Sequence, residues 1–406
     1  MSDEKYAART SGSERILSRP RIAVIHPLLA AGGGSESRAL RLVEALKENY
    51  DVDLLTMGDV GLDQLNLSYG THLVPEEFSI IGLPFPPLIG DRFDAWKAIP
   101  LSRFCLRHSN RYDVMISAYN VMNFGRPGIQ YIADFSFDDR LRRDFHGDQQ
   151  RTRSLLYRPS LLRSLYLRWG KLLAGTNDRD WRKNVTVANS LWTREILRRR
   201  LGIDSQVVYP PVAGDFPDIA WEEKENGFVC LGRINPQKRI HKVIEILAGV
   251  REKGHGVHLH IVGRTDDRSY ERVLKQLCER HQPWATFDGP LFGRAKEEFL
   301  ARHRYGISAC RNESFGIATA EMVKAGCLVF VPRQGGQIEI VSEEELIYES
   351  VAEAAEKAGR VLESRETQLR LREQLAETAR GFSVQRFREE SLSIVGRFLG
   401  RKEEGA

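Results

Sequence analysis

The chain has 406 residues, 42% of them hydrophobic and 28% charged, which suits a soluble globular protein of two ordinary domains. Its 60 Lys and Arg residues against 55 Asp and Glu leave a net charge of only +5, so bulk charge gives no argument for nucleic acid. Five scattered cysteines, odd in number and mostly set in apolar runs, offer neither a disulfide framework nor a zinc spacing and read as reduced, buried thiols.

The N-terminal stretch MSDEKYAARTSGSERILSRP is polar and has no apolar signal core, so roughly the first 18 residues are expected to be poorly ordered. No segment approaches the ~20 apolar residues that span a bilayer. The expectation is a cytoplasmic protein. Arg21 to His26 is an apolar first strand, and Pro27 to Gly34 is a loop ending in three glycines. Ser35 is expected to cap a helix running to about Lys47, and Asp51 to Thr56 is the second strand. Strand, glycine loop, helix, strand opens a doubly wound α/β sheet. The glycines are not in the G-x-G-x-x-G order, so a nicotinamide oxidoreductase is not supported. Further strands are predicted at Val114 to Ser117, Gln130 to Ala133 and Val185 to Ala188, with a helix from Trp192 to Arg200. The first domain is placed at residues 19–208.

Between 140 and 172 the chain interleaves arginines (140, 142, 143, 151, 153, 158, 163, 168) with leucines and aromatics. Two readings stay open. The apolar side packs on the sheet with the arginines solvated, or the segment lies on an anionic membrane surface. The second makes the protein peripheral on the inner face of the cytoplasmic membrane.

Tyr209–Pro210–Pro211 and the turn-rich, charged run that follows read as a linker over 209–226. A second doubly wound pattern occupies 227–381. Its strands are expected at Phe228 to Leu231, Val257 to Val262 and Ala285 to Asp288, and its helices at His241 to Arg251, Tyr270 to Arg280 and Lys296 to Arg302. His255, His258 and His260 look like a metal cluster, and 258 and 260 share a strand face, but no carboxylate or cysteine joins them at ligand spacing, so they are read as polar strand positions and no metal is expected.

The stretch from Tyr305 to Pro332 carries the chemistry. A buried strand, Tyr305 to Cys310, runs into a polar loop with Glu313. Ser314 is expected to cap a helix that Gly316 opens and Gly326 ends, and Cys327 to Val331 is the next strand. The amides of Phe315, Gly316, Ile317 and Ala318 at the helix start favour an anion. Glu313 and Glu321 flank them as pure acceptors, suited to a ligand rich in hydroxyls. Phosphate plus sugar fits that site. Beyond it, 351 to 380 reads as charged helices, and Phe382–Ser383 begins a last amphipathic helix over 382–400.

Glu313, Phe315, Gly316, Glu321, Ala325 and Gly326 together resemble the signature of family 4 retaining glycosyltransferases, strongly over 227 to 345 and loosely before 205. The resemblance implies the GT-B fold: two Rossmann-like domains facing across a cleft, with the last helix crossing back to the first. It implies transfer of a hexose from a nucleoside-diphosphate sugar to a glycan or lipid-linked acceptor in glycan or cell-envelope polysaccharide synthesis, with retention of configuration and without metal or cofactor. Arg233 and Lys238 match the pair that stabilises the departing diphosphate. Glu313 would take the sugar hydroxyls, Glu321 the nucleotide ribose, and Gly263 and Arg264 would lie near the base. Gly33 and Gly34 would lie under the diphosphate, Ser190 caps a helix as in the family, and the Gln334–Gly335–Gly336–Gln337 turn would add to the pocket. Where the family carries a His after the strand at Gln130 to Ala133, this chain has Asp134, Phe135 and Ser136, leaving Asp134 or Ser136 to meet the acceptor sugar. The wider motif looks most like mannosyltransferases acting on lipid-linked oligosaccharides, which leans the donor to GDP-mannose with UDP-sugars close behind. A nucleotide-sugar epimerase or hydrolase of the same fold, or an inactive nucleotide-sugar-binding protein, are the alternatives.

Overall fold

The computed structural model describes residues 19–29, 33–84, 99–146, 160–175, 179–265 and 267–403. The first 18 residues, the first glycine of the glycine loop and arginines 151, 153 and 158 lie outside that set.

Two parallel sheets organise the chain. The first contains β1 (Arg21–Ile25), β2 (Asp51–Met57), β3 (Ser79–Leu83), β4 (Val114–Ser117), β5 (Ile129–Tyr131), β6 (Val185–Ala188) and β7 (Gln206–Val207), in the order β3-β2-β1-β4-β5-β6-β7. The second contains β8 (Glu225–Leu231), β9 (His258–Val262), β10 (Ala285–Gly289), β11 (His303–Ile307), β12 (Leu328–Pro332) and β13 (Ile347–Tyr348), in the order β10-β9-β8-β11-β12-β13. Every pairing within them is parallel. In each, the order runs outward from a first strand in both directions, which leaves a crevice at the carboxyl ends where it reverses. The central strands bury mostly apolar side chains, as sheets covered on both faces require. Ile22, Val24, Leu54 and Ile116 form one core, and Phe228, Leu259, Tyr305 and Phe330 another.

The last helix, Val384–Glu403, packs against the first sheet: Phe387, Ile394, Val395 and Phe398 join that core, and the Tyr131 hydroxyl meets Ser391 Oγ at 3.2 Å. The terminal helix therefore crosses back, as expected. All five cysteines are buried and unpaired.

Several boundaries differ from the sequence reading. The helix after β1 is Gly34–Leu46 with Gly33 at its N-cap, so Ser35 lies inside the first turn and binds Glu36 Oε2 at 2.8 Å instead of capping. The fifth strand sits one residue early and stops at Tyr131, after which the chain turns to place Ala133 and Asp134. The helix expected from Trp192 to Arg200 is α-helical only over Leu191–Ile196 and then widens into a π turn over Leu197–Leu201. The strands β3, β7 and β13 carried no pattern strong enough to be predicted; two of them have only two residues.

Candidate donor and acceptor site

The carboxyl ends of the two sheets face one cavity of about 1280 Å³. From the second sheet, the loop after β8 brings Arg233 and Lys238, the loop after β9 brings Gly263 and Arg264, and the loop after β11 brings Glu313 through Ile317. From the first come Gly33 and Gly34, His26, Arg38 and Asp134.

Lys238 is ion-paired with Glu313, although 75 residues separate them in the chain. Both side chains are largely buried. Burial alone would push the Glu313 carboxyl up, but the Lys238 ion pair and hydrogen bond, helped by Arg233, outweigh it and hold the carboxyl below its ordinary value. The same balance raises Lys238: burial opposes its charge and Glu313 more than restores it. Both are ionised at neutral pH.

The helix after this loop is Ile317–Lys324, and its N-cap is Gly316 at φ +105°, a left-handed conformation that L side chains rarely adopt. Ser314 is not the cap. Its hydroxyl instead crosses the cleft to donate to the Ala133 carbonyl at 2.7 Å, while its own carbonyl accepts from Ser190 Oγ at 2.6 Å. Phe315 to Thr319, at the start of that helix, line the cavity. Glu321 also lines it and is held by Lys296 Nζ at 2.7 Å. Sequence reasoning missed Lys296. It lies 25 residues away, on helix Gly293–Ala301, and no local motif marks it.

The turn at 334–337 is a correction. It does not line the cavity but packs behind the Glu313 loop. Gly336 N donates to Glu313 O at 2.7 Å, and Gln337 Nε2 donates to Cys310 O at 2.7 Å. A Cβ on Gly335 would lie 2.6 Å from Glu313 O, so only glycine lets the two backbones meet. Gly263 has a similar reason: its Cβ would fall 1.7 Å from the Gly232 carbonyl, where the ends of β8 and β9 touch.

On the facing wall, Gly34 abuts Ile317; a Cβ there would lie 2.5 Å from Ile317 Cδ1. Glu36 folds back over Gly33, and burial raises its carboxyl pKa. Asp134 lines the cavity and is anchored by Asn120 Nδ2 at 2.9 Å. Ser136 does not line the cavity; it accepts from Asn120 Nδ2 at 3.1 Å and meets the Tyr119 hydroxyl at 3.2 Å, so it supports Asp134 from behind. Sequence reasoning also passed over His26. Burial first, and then Arg38, depress its imidazole to about 3, so it is neutral at physiological pH.

Two doubly wound sheets with a shared cavity at their carboxyl ends and a terminal helix returned to the first define the GT-B architecture. A family model described as glycosyl transferases group 1 matches residues 214–381 of the chain. Over 194 residues it is 27% identical to the GDP-Man:Man(3)GlcNAc(2)-PP-Dol alpha-1,2-mannosyltransferase of Candida glabrata, covering 43% of this chain and 36% of that one. The chain spans between 29% and 46% of the lengths of the curated relatives it matches. Among solved structures it is similar in fold to Anabaena Alr3699/HepE in complex with UDP and glucose, at TM-score 0.64 and 15% identity over 93% of this chain and all of that one. It is likewise similar to WaaG, a glycosyltransferase involved in lipopolysaccharide biosynthesis, at TM-score 0.66 and 17% identity over 92% of this chain and 99% of that one.

Proposed function

We propose that the protein is a retaining glycosyltransferase that moves a hexose, with mannose from GDP-mannose favoured, onto a lipid-linked glycan. One observation carries this reading: the Lys238–Glu313 ion pair and the start of helix Ile317–Lys324, whose first-turn amides have no partner within the helix, line one cavity together with Glu321. A diphosphate on those amides meets the helix dipole, Lys238 and the guanidinium of Arg233. The sugar then lies against Glu313 and the nucleoside ribose against Glu321. As the glycosyl–phosphate bond breaks, negative charge grows on the leaving diphosphate. Stabilising that charge is the main catalytic contribution. The acceptor hydroxyl attacks on the face the leaving group departs from, and the diphosphate takes its proton. Cationic side chains lining the cavity, Arg233 and Lys238 among them, can neutralise the diphosphate without a metal.

The GDP-mannose donor and dolichol-linked acceptor named for the relatives support GDP-mannose and a lipid carrier here. The surface of helix Leu161–Ala174 supports the carrier independently. Leu161 is 85% exposed, Leu162 75%, Trp169 56% and Leu172 69%, while Arg163 turns inward onto Asp139 at 2.9 Å. That is the reverse of a helix covering a sheet. Asp139 opens the helix Asp139–His146, whose Asp144 and Phe145 reach the cavity wall, so an apolar surface adjoins the acceptor side. No helix among the described residues is long and apolar enough to cross a membrane. Peripheral contact with the bilayer that carries the acceptor is therefore part of the proposal.

The test is thermal stabilisation of the purified chain by GDP, UDP, ADP, NAD and their sugar conjugates without metal. A ligand that binds only the folded state raises stability with its saturation. A shift with GDP and GDP-mannose that disappears in Glu321→Ala is expected. A shift with NAD alone would overturn the reading. Product analysis with and without a polyprenyl-linked acceptor then separates transfer from epimerisation or hydrolysis.

A further inference from the structure

At the opposite end of the second sheet, where its strands begin, three histidines meet. His258 opens β9, His260 lies two residues on, and His303 opens β11. One ring nitrogen from each lies within 4.8 Å of the others. Ring centroids are 5.2 Å apart for His258 and His260, 5.0 Å for His260 and His303, and 5.8 Å for His258 and His303. Three imidazoles bound to one tetrahedral ion at about 2.0–2.1 Å would have centroids about 5 Å apart. The sequence supplied only the pair on β9. The fold adds the third histidine and two carboxylates.

Glu225, the first residue of the intervening strand β8, points its Oε2 at His258 Nε2 (3.5 Å) and His303 Nε2 (3.7 Å). Ligand atoms around a tetrahedral zinc ion are about 3.3–3.5 Å apart. These nitrogens are shut off from water, and neither has a hydrogen bond. Burying a polar nitrogen unsatisfied is unfavourable, and such a group calls for a partner. Two of the rings are also fixed from outside. His303 Nδ1 is 2.7 Å from the Phe299 carbonyl, and His260 Nδ1 is 3.0 Å from both oxygens of Asp288. An Nδ1–H donated to a carbonyl or carboxylate leaves the lone pair on Nε2. This is how metal-binding histidines are oriented. Finally, β8 carries glycine where it passes His258: a Cβ at Gly227 would fall 2.2 Å from His258 Nε2. The missing side chain keeps the space between the rings open.

We propose that His258, His260, His303 and Glu225 bind a single zinc-like divalent cation, with Asp288 and the Phe299 carbonyl orienting two of the rings. Three imidazoles and one carboxylate suit Zn²⁺, and four protein ligands leave no open coordination position for chemistry. The ion sits away from the sugar-nucleotide cavity, so its role is structural. It ties together the starts of three neighbouring strands and the end of helix Gly293–Ala301. Contraction of the nitrogens from 4.8 Å to bonding separation takes side-chain rotation on the order of 1 Å. Half-exposed Glu225 leaves solvent a way in.

The full chain, made without a polyhistidine tag and stripped with chelator, is titrated with Co²⁺ and then Zn²⁺. The expected result is one Co²⁺ per chain with the intense visible absorption of four-coordinate cobalt, displaced by one equivalent of Zn²⁺, and a rise in Tm. His258→Gln with His303→Gln should remove the absorption and the rise. Asp288→Asn keeps all four ligands and should weaken affinity by about 10–100-fold, as loss of an orienting partner does. If the double variant fails to fold, Glu225→Gln serves in its place and should change the cobalt spectrum. No saturable cobalt binding, or binding equally tight in the variants, would overturn the proposal and leave the histidines a polar cluster.

Discussion

Glu313 and Lys238 offset each other's burial, each holding its partner in the charged form. On the proposed function a nucleotide sugar divides this pair, Lys238 passing to the diphosphate and Glu313 to the sugar hydroxyls. Glu313→Gln keeps the shape but loses the charge, and is expected to abolish transfer while nucleotide binding survives. Wild-type turnover in that variant would remove Glu313 from the mechanism. Lys238→Ala should lower turnover by roughly 10²-fold or more, the usual loss for a group that stabilises transition-state charge. The pair also predicts a pH dependence. A carboxyl held below its ordinary 4.5 stabilises the fold above that value and loses the effect as pH falls through its lowered pKa. An amine held above 10.5 stabilises the fold below that value and loses the effect as pH rises through its raised pKa. The Tm gap between wild type and Glu313→Gln should thus be steady from about pH 5 to 10 and close on the acid side. At this scale the sequence was legible where residues are close in the chain. Glu313, Gly316 and Glu321 form a local pattern. Lys296 and His303 do not, because only the folding of distant strands brings them to their partners.

The elements were legible where their pattern had length. β1, β2, β4 and β6 came out within a residue or two because each is a mostly buried run in which apolar side chains predominate. β3 is a partly exposed edge strand, and β7 and β13 are too short to show any period. The helix starts were misjudged at Ser35 and Ser314 for one reason. A glycine took the cap position, freeing the serine for a different hydrogen bond. That arrangement makes Gly316 a sharp test. Alanine there must hold φ +105° with its Cβ 3.2 Å from Gln337 Cβ and 3.4 Å from Glu313 Cγ. A loss of about 1–2 kcal/mol is expected from the backbone alone, measured by denaturant unfolding. Weaker nucleotide binding should accompany it, since the same turn aims the amides. Helix Leu161–Ala174 yields the other element-scale prediction. Leu162→Glu with Trp169→Glu should reduce flotation with anionic liposomes without lowering Tm, because both side chains face outward. Equal flotation of wild type and variant would remove this helix from the membrane contact.

At the scale of the molecule, the two sheets are joined by more than the cavity between them. Glu339, from the second domain, accepts from the amides of Leu191 and Trp192 at 2.8 Å each and so caps a helix of the first. The chain crosses twice, once after β7 and once before the terminal helix, and the crossings meet at an aromatic cluster. Phe382 lies 5.1 Å from the Tyr209 ring and 5.3 Å from Phe315, and its carbonyl accepts from Val212 N at 2.9 Å. Phe315 is the residue just before Gly316, the N-cap of helix Ile317–Lys324. The ring of Phe382 therefore holds the linker, the returning segment and the turn before Gly316 in one packed contact. Phe382 is 5% exposed, so Phe382→Ala removes a buried ring and should destabilise by about 3–5 kcal/mol. The more telling result is the form of the transition. If this cluster couples the domains, wild type unfolds in one cooperative step, and Phe382→Ala unfolds in two, with only the second-domain step raised by nucleotide. A single lowered transition in the variant would place the coupling elsewhere, in the Glu339 cap and the Ser314 bridge, where Glu339→Ala would then be the variant to split it.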